Sequence, residues 1–460
     1  MKAEKTITFE DFDCFELKKF CDRLEAFANV EHDYVEGSLV LALNAGFGSG
    51  KTTFIEMWRN SLLSRREKGE FVPMPVVLNA WESDHCGEPL LAVLAGLVQS
   101  VENWKGVDTP DKSKFKKAAK EVGWFATGLS NEFVAKWTGL NSVKAEEYVA
   151  TKTQSRKVPA PDFIEMYQQR IDALKELKSE LRTAFGGPNP KVMVFVDELD
   201  RCRPDYAVSY LETIKHVFDI EGMVFVLAVD YEQLKGSTMA LYGQHLNFEE
   251  YFRKFCHRTF LLPDLNNDSY RRISRKYVRE YLVTEGKRMS LLEVSGGQGM
   301  EKMIVELSEA LKLRPRQIQE AFRILGHTMH TLDTSRCGKL VWGFSAGTML
   351  LSFLRAGSVT IFMNIKNSGE GISQLCSMLM KTMGKEEAEW WVQLVLSGSY
   401  ESNSPNDFID DILIELGYMV KGEGDRKQYL RDFAGGWGHE IGGIRKIVNM
   451  IENVSSFSQG

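Results

Sequence analysis

Residues 39–55, LVLALNAGFGSGKTTFI, constrain this chain more tightly than any other stretch. An apolar run, a glycine-rich turn and a segment of helical periodicity follow one another without a gap. The run at 39–43 does not alternate, which suits a strand buried on both faces in a parallel sheet. The turn, Ala45 to Thr52, reads AGFGSGKT. Such a turn aims backbone N–H groups at one point and leads into a helix N-terminus, where negative charge is favoured. A phosphate chain fits that chemistry. Gly48 and Gly50 allow close backbone approach, Lys51 has the reach for the β- and γ-phosphates of ATP, and the Thr52 hydroxyl is a candidate Mg²⁺ ligand. Gly46, Phe47, Ser49 and Thr53 complete the nucleotide-contacting candidates. The usual pattern, G-x-x-x-x-G-K-[ST], opens on glycine where this chain has Ala45. Gly46 follows at once, so the missing freedom is displaced by one residue.

The rest of the chain supplies the sheet that this loop needs. MPVVLNAW (74–81), KVMVFVDELDRC (191–202), GMVFVLAVD (222–230) and RTFLLPDL (258–265) are four more apolar β runs. EPLLAVLAGLVQSV (88–101) and YAVSYLETIKHVFD (206–219) read as helices between them. Strands alternating with helices predict an α/β fold, a mostly parallel five-stranded sheet covered on both faces, followed by a helical C-terminal region. Residues 1–37 read as a helical lead-in, with Leu17, Phe20, Leu24 and Phe27 on one face. Residues 38–265 read as the core, carrying a Lys-rich helical insertion at about 102–160. Residues 266–330 read as a helical lid-like subdomain and 331–460 as a helical domain of unassigned role.

A phosphate loop by itself hydrolyses nothing. A carboxylate for magnesium and a group to orient water are also needed. VMVFVDELDRC supplies both, because Asp197 and Glu198 stand at the carboxyl end of a strand, where open α/β sheets bind ligands. Asp197 is the candidate metal group and Glu198 the candidate general base. Asp200 and Arg201 either serve a partner subunit's site or form a structural salt bridge. Asp230, ending the next strand, is either a sensor of the γ-phosphate or a helix cap. Positive charge to offset the transition state is offered by Lys254 in YFRKFCHR and by Arg316 in LKLRPRQIQ, in cis or from a neighbouring protomer. VSGGQG (294–299) resembles a transporter-ATPase signature but falls after the acidic strand instead of before it, so it reads as a glycine-rich loop.

Composition narrows the partners. A net charge of -6 gives no overall pull toward nucleic acid or an anionic membrane. The seven cysteines form no C-x-x-C pair, which suits reduced thiols and a cytoplasmic setting. The first residues lack the apolar core of a signal peptide. LVWGFSAGTMLLSFL (340–354) is too short to span a bilayer and reads as a buried helix.

Taken in order, these stretches resemble the KAP family of P-loop NTPases (the Kidins/ARMS and PifA type). AGFGSGKT is similar to the family loop, with Phe47 at its aromatic position. LNAWES resembles the Asn-x-Trp motif, giving Asn79 and Trp81, and VDELDRC resembles the hallmark D-[DE]-L-D-R-C. YFRKFCHRTFLLP places Lys254 at the family lysine, and RPRQIQ is similar to an element that points to Arg316. Ala45, His257 at the usual Gln and Gln319 at the usual basic residue depart from the pattern. The resemblance implies an ATPase switch; the residues above add the expectations of Mg²⁺ dependence, a soluble chain without membrane insertion, and, from Lys254 and Arg316, ATP-driven assembly of a homo-oligomer or engagement of a protein partner. The resemblance associates the family with mobile elements and anti-phage defence. Two other readings stay open: a nucleotide-gated sensor or scaffold with little turnover, and a DNA-acting motor.

Overall fold

The structure is a computed structural model. It describes residues 7–12, 16–103, 111–126, 163–187, 189–278, 299–331, 342–367, 370–399, 407–415 and 443–457, with a few single positions between 417 and 437. Two compact units divide the chain at Pro263 and Asp264.

The first unit is built on five parallel strands: β1 (Leu39–Asn44), β2 (Met74–Asn79), β3 (Val192–Asp197), β4 (Met223–Val229) and β5 (Arg258–Leu261). Their order is β2-β3-β4-β1-β5, so β4 separates the loop strand from the acidic strand. Asn44 pairs with Val229, Val196 with Leu227 and Asn79 with Asp197, which brings the carboxyl ends level at one rim. All five lie within the apolar runs expected from the sequence. β5 is shorter than expected and forms an edge, with Leu261 70% exposed.

Alternate residues of each strand feed two separate cores, as the period of two requires. Leu39, Leu41, Leu43, Phe195 and Val226 face α1 (Phe9–Phe12), α2 (Leu17–Glu31) and α3 (Lys51–Glu67), where Phe20, Leu24, Phe54 and Trp58 pack against them. Trp58 meets Phe195 edge-on at 5.1 Å. The opposite face, with Ala42, Val194, Phe225 and Leu227, is covered by α4 (Ala80–Asp84), α5 (Pro89–Asn103), α6 (Lys112–Ala126), α7 (Phe163–Phe185), α8 (Pro204–Val217), α9 (Tyr231–Tyr242) and α10 (Phe248–Phe252). The Lys-rich segment contributes to this core. Phe115, Ala118, Ala119 and Val122 of α6 share one face and are buried, and Phe115 meets Phe185 at 5.7 Å. Residues 127–160 of the expected insertion lie outside the described residues, as do positions 294–298 of VSGGQG.

The second unit is helical among its described residues: α11 (Asn267–Tyr277), α12 (Met300–Ala310), α13 (Pro315–Thr331), α14 (Trp342–Gly357), α15 (Val359–Asn367), α16 (Glu370–Thr382), α17 (Lys385–Ser399), α18 (Asp407–Glu415) and α19 (Gly443–Phe457). α14 is the apolar stretch that sequence length marked as a core helix, and residues Gly343 to Leu354 are all buried. Phe322 of α13 packs edge-on against Phe353 of α14 at 5.7 Å. No helix among the described residues is long and apolar enough to cross a membrane.

Candidate functional site

The loop begins as an extension of the sheet. The Ala45 N–H donates to Val229 O at 3.1 Å, and Asn44 Oδ1 accepts from the Tyr231 amide at 3.0 Å. Both bonds fix the exit of β1 against the exit of β4. The chain then turns tightly, with Ser49 Oγ donating to Gly46 O at 2.6 Å. Gly48 and Gly50 take φ of 76° and 99°, the left-handed region that glycine enters without a Cβ penalty. Ala45 is outside that region, so its methyl meets no backbone strain there. α3 starts at Lys51, and no side chain caps its first turn. Its leading N–H groups are therefore open toward the rim, the arrangement that holds an anion.

Two loop side chains reach across to the acidic strand. Thr52 Oγ1 donates to Asp197 Oδ2 at 2.6 Å, joining residues 145 positions apart. Lys51 Nζ donates to Ala45 O at 2.6 Å and lies 3.9 Å from Asp200 Oδ2. Thr53 follows on α3 with its side chain half-buried. Asp197 is 5% exposed, and that burial pushes its carboxyl above the ordinary range, opposed by the Thr52 hydroxyl and the Glu198 amide. Hydroxyl and carboxylate oxygens at this spot are hard donors of the kind Mg²⁺ takes.

Glu198 turns the corner after β3 in a left-handed conformation, φ 62°. The turn lets its amide donate to Asp197 Oδ1 at 2.9 Å. Its two carboxylate oxygens have separate partners: Oε2 accepts from Asn79 Nδ2 at 3.1 Å and Oε1 meets Arg201 at 2.7 Å. Asn79 is itself fixed, because its Oδ1 accepts the Glu82 amide at 3.2 Å as the cap of α4. The Arg201 guanidinium lies 4.8 Å from the ring centre of Phe47 and 5.9 Å from that of Trp81.

Thus Arg201 pairs with Glu198 and not with its neighbour Asp200. Asp200 faces Lys51 with a side chain 7% exposed, and its buried Oδ1 has no hydrogen-bond partner among the described residues. Behind these groups, Arg203 donates three times to Asp84, to both carboxylate oxygens and the carbonyl at 2.9–3.0 Å. Tyr206 donates to Ser83 Oγ at 2.9 Å. These bonds bind α4 to the start of α8, so the Asn79 and Glu198 segments are braced against each other.

Lys51, Thr52, Asp197 and Glu198 therefore share one rim with Gly46, Phe47, Gly48, Ser49 and Gly50. Asp230 ends β4 at the same rim, and its side chain caps α9 by accepting the Gln233 amide at 3.4 Å. Lys254 is not brought to the loop. It precedes β5, whose Arg258 pairs with Leu41 near the start of β1, and it rests 5.8 Å from the Tyr251 ring. Tyr251 in turn contacts Tyr242, at the end of α9 away from the rim. Arg316 belongs to the second unit, exposed in the first turn of α13. Sequence reasoning did not assign Asn79 and Arg201 as partners of Glu198. One available signal was the register that sets Asn79 opposite Asp197, and it emerges only once the strands pair. No group of three or more His, Cys, Asp or Glu side chains placed to hold a metal occurs among the described residues.

A family model described as the KAP family P-loop domain matches residues 25–337. The "Phage T7 exclusion protein" of Escherichia coli K12 is 23% identical over 271 residues, covering 53% of this chain and 33% of that protein. The chain thus matches about a third of the length of that relative. Two solved structures of the Aeropyrum pernix ORC2 protein, in ADPNP–ADP and ADP forms, align over 96% and 95% of this chain and 95% and 93% of theirs. Their identities are 10% and 11%, and their TM-scores 0.34 and 0.31. With the family model spanning the loop, the acidic strand and the whole sheet, this chain belongs to the KAP family of P-loop NTPases.

Proposed function

We propose that the chain is a magnesium-dependent ATPase whose nucleotide state governs assembly or partner engagement. The Thr52–Asp197 hydrogen bond carries this reading, since it joins the loop to the acidic strand end at one point. In the proposed reaction the loop amides, Gly46 to Lys51, hold the phosphates, and Lys51 leaves Ala45 O to pair with the β- and γ-phosphates. Thr52 and Asp197 would hold Mg²⁺, which screens phosphate charge when bound. Glu198 takes a proton from the attacking water as oxygen bonds to the γ-phosphorus and the bond to ADP breaks. Asp230 senses the γ-phosphate from the neighbouring strand end. Lys254 and Arg316 add positive charge, and because Lys254 precedes β5, which runs parallel to β1 and starts toward the rim opposite the loop, Lys254 is assigned to the site of a neighbouring copy.

The name of the phage-exclusion relative supports a role in anti-phage defence; a setting in the cytoplasm and an association with mobile elements are part of the same proposal. Phosphate release by the full chain with ATP and Mg²⁺ tests the enzymatic reading, with Glu198→Gln as the comparison. Removal of a general base lowers turnover by about 10²–10⁴-fold. Equal release by both chains would remove Glu198 from the general-base role, and ATP binding without release by the wild type would leave a nucleotide-gated binder in place of the enzyme.

A further inference from the structure

The Glu198 carboxylate is held from two sides by groups that the reaction scheme above does not use. Glutamate has three side-chain torsions, and a base acts only within hydrogen-bond reach of the proton that it takes. Here the backbone of Glu198 is set at φ 62°, an uncommon conformation for a non-glycine residue that surrounding contacts must sustain. Asn79 occupies Oε2 and Arg201 occupies Oε1. Asn79 cannot swing away without abandoning the Glu82 amide. Arg201 is 36% exposed and has no other ion pair among the described residues. What holds it is the pair of rings, and one of them, Phe47, is the third residue of the phosphate loop. The ring and the guanidinium are planar and attract each other face-on, so a shift of the loop backbone moves the cation with it.

We propose that Arg201 is the positioning residue for Glu198 and that Phe47 couples this positioning to the state of the phosphate loop. A loop wrapped around phosphates holds Phe47 in one place. Phe47 then fixes Arg201, and Arg201 fixes the plane of the carboxylate, leaving its remaining lone pairs for water. This inference rests on the hydrolytic reading above.

The test is a double-mutant cycle on the full chain with ATP and Mg²⁺, comparing Arg201→Ala, Glu198→Gln and the double variant. Arg201→Lys and Phe47→Ala are measured beside them. The expected result is a kcat at least about tenfold lower for Arg201→Ala, with KM for ATP within about threefold. Arg201→Lys keeps the charge but loses the fork and the stack, so it recovers part of the rate. Phe47→Ala lowers kcat in the same direction. In the Glu198→Gln background, Arg201→Ala causes no further loss, because a positioning residue has nothing left to position. A full additional loss in that background overturns the inference and makes Arg201 an independent contact to the phosphates. An unchanged kcat for Arg201→Ala also overturns it. A wild-type chain that binds ATP with Mg²⁺ yet releases no phosphate overturns the hydrolytic reading itself, and the positioning role falls with it.

Discussion

Ala45 is the one residue of the loop that departs from the usual glycine, and changing it separates a working loop from an impaired one. Its φ lies outside the left-handed region reserved here for Gly48 and Gly50. Its amide extends the β1–β4 ladder, and its methyl packs against the core beneath. Ala45→Gly thus frees backbone entropy in the unfolded chain, costing about 0.5–1 kcal/mol. It also loses part of the roughly 0.8 kcal/mol that a buried methyl-sized group contributes, for about 1 kcal/mol in all. Gly50→Ala is the converse case. A Cβ built there meets nothing within 4 Å, so the penalty is conformational, about 1–2 kcal/mol for an L-residue driven left-handed. In a unit of this size about 1 kcal/mol moves Tm by about 2–4 °C. Thermal unfolding followed by circular dichroism, with a fluorescent nucleotide titration, reads both effects. Ala45→Gly is expected to lower Tm by about that amount and to keep ATP affinity within about threefold. Gly50→Ala is expected to lower Tm at least as much and to weaken ATP about tenfold or more, since it tilts the amides at the start of α3. An Ala45→Gly chain that binds ATP about tenfold more tightly, a gain of about 1.4 kcal/mol, would refute this account of the loop.

Asp197→Asn removes a carboxylate whose burial raises its pKa in the folded chain. Folded above unfolded, that group favours folding below the ordinary carboxylate range and loses the contribution as pH rises through the folded value. Near pH 7 the variant therefore has a higher Tm without nucleotide than the wild type, and Mg²⁺ no longer adds to stabilisation by ATP; a lower Tm would contradict the sign. His257 Nδ1 accepts the Val40 amide at 3.0 Å, and burial pushes its pKa down. Folded below unfolded, it supports β5 above the ordinary histidine range and releases it as pH falls through the folded value. His257→Ala leaves that amide without its acceptor, costing about 1–3 kcal/mol in urea unfolding, whereas His257→Gln offers a carbonyl acceptor and retains most of the stability. Lys254→Ala is expected to leave ATP binding unchanged while weakening assembly with a non-hydrolysable ATP analogue in analytical ultracentrifugation. A loss of ATP binding by the isolated monomer would move Lys254 back into its own chain's site.

The sheet was legible because its strands are unbroken apolar runs bounded by polar ends, and burial on both faces leaves few other ways to fold them. The loop was legible because Gly48, Gly50, Lys51 and Thr52 stand at fixed offsets that backbone geometry demands. Partner choice among the acidic-motif residues was not. Asp200 and Arg201 are adjacent in sequence, yet the left-handed turn at Glu198 and the short 3₁₀ turn after it send one to Lys51 and the other to Glu198. A non-glycine residue at positive φ carries no sequence signal of its own. The α6 helix was half legible. Its lysines marked it as a helical insertion to the core, while Phe115, Ala118, Ala119 and Val122 already had the spacing of a core face. Asp230 carried two meanings from the start; its bond to the Gln233 amide shows the capping one, and the γ-phosphate role belongs to the proposal.

Isothermal titration of the full chain with ATP, with and without Mg²⁺, beside Lys51→Ala and Thr52→Val, tests most directly whether the loop and the acidic strand form one nucleotide site. Saturable binding that Mg²⁺ tightens is expected in the wild type, lost in Lys51→Ala and insensitive to Mg²⁺ in Thr52→Val. Equal binding by all three chains, or no binding by the wild type at any Mg²⁺ concentration, would contradict a single site.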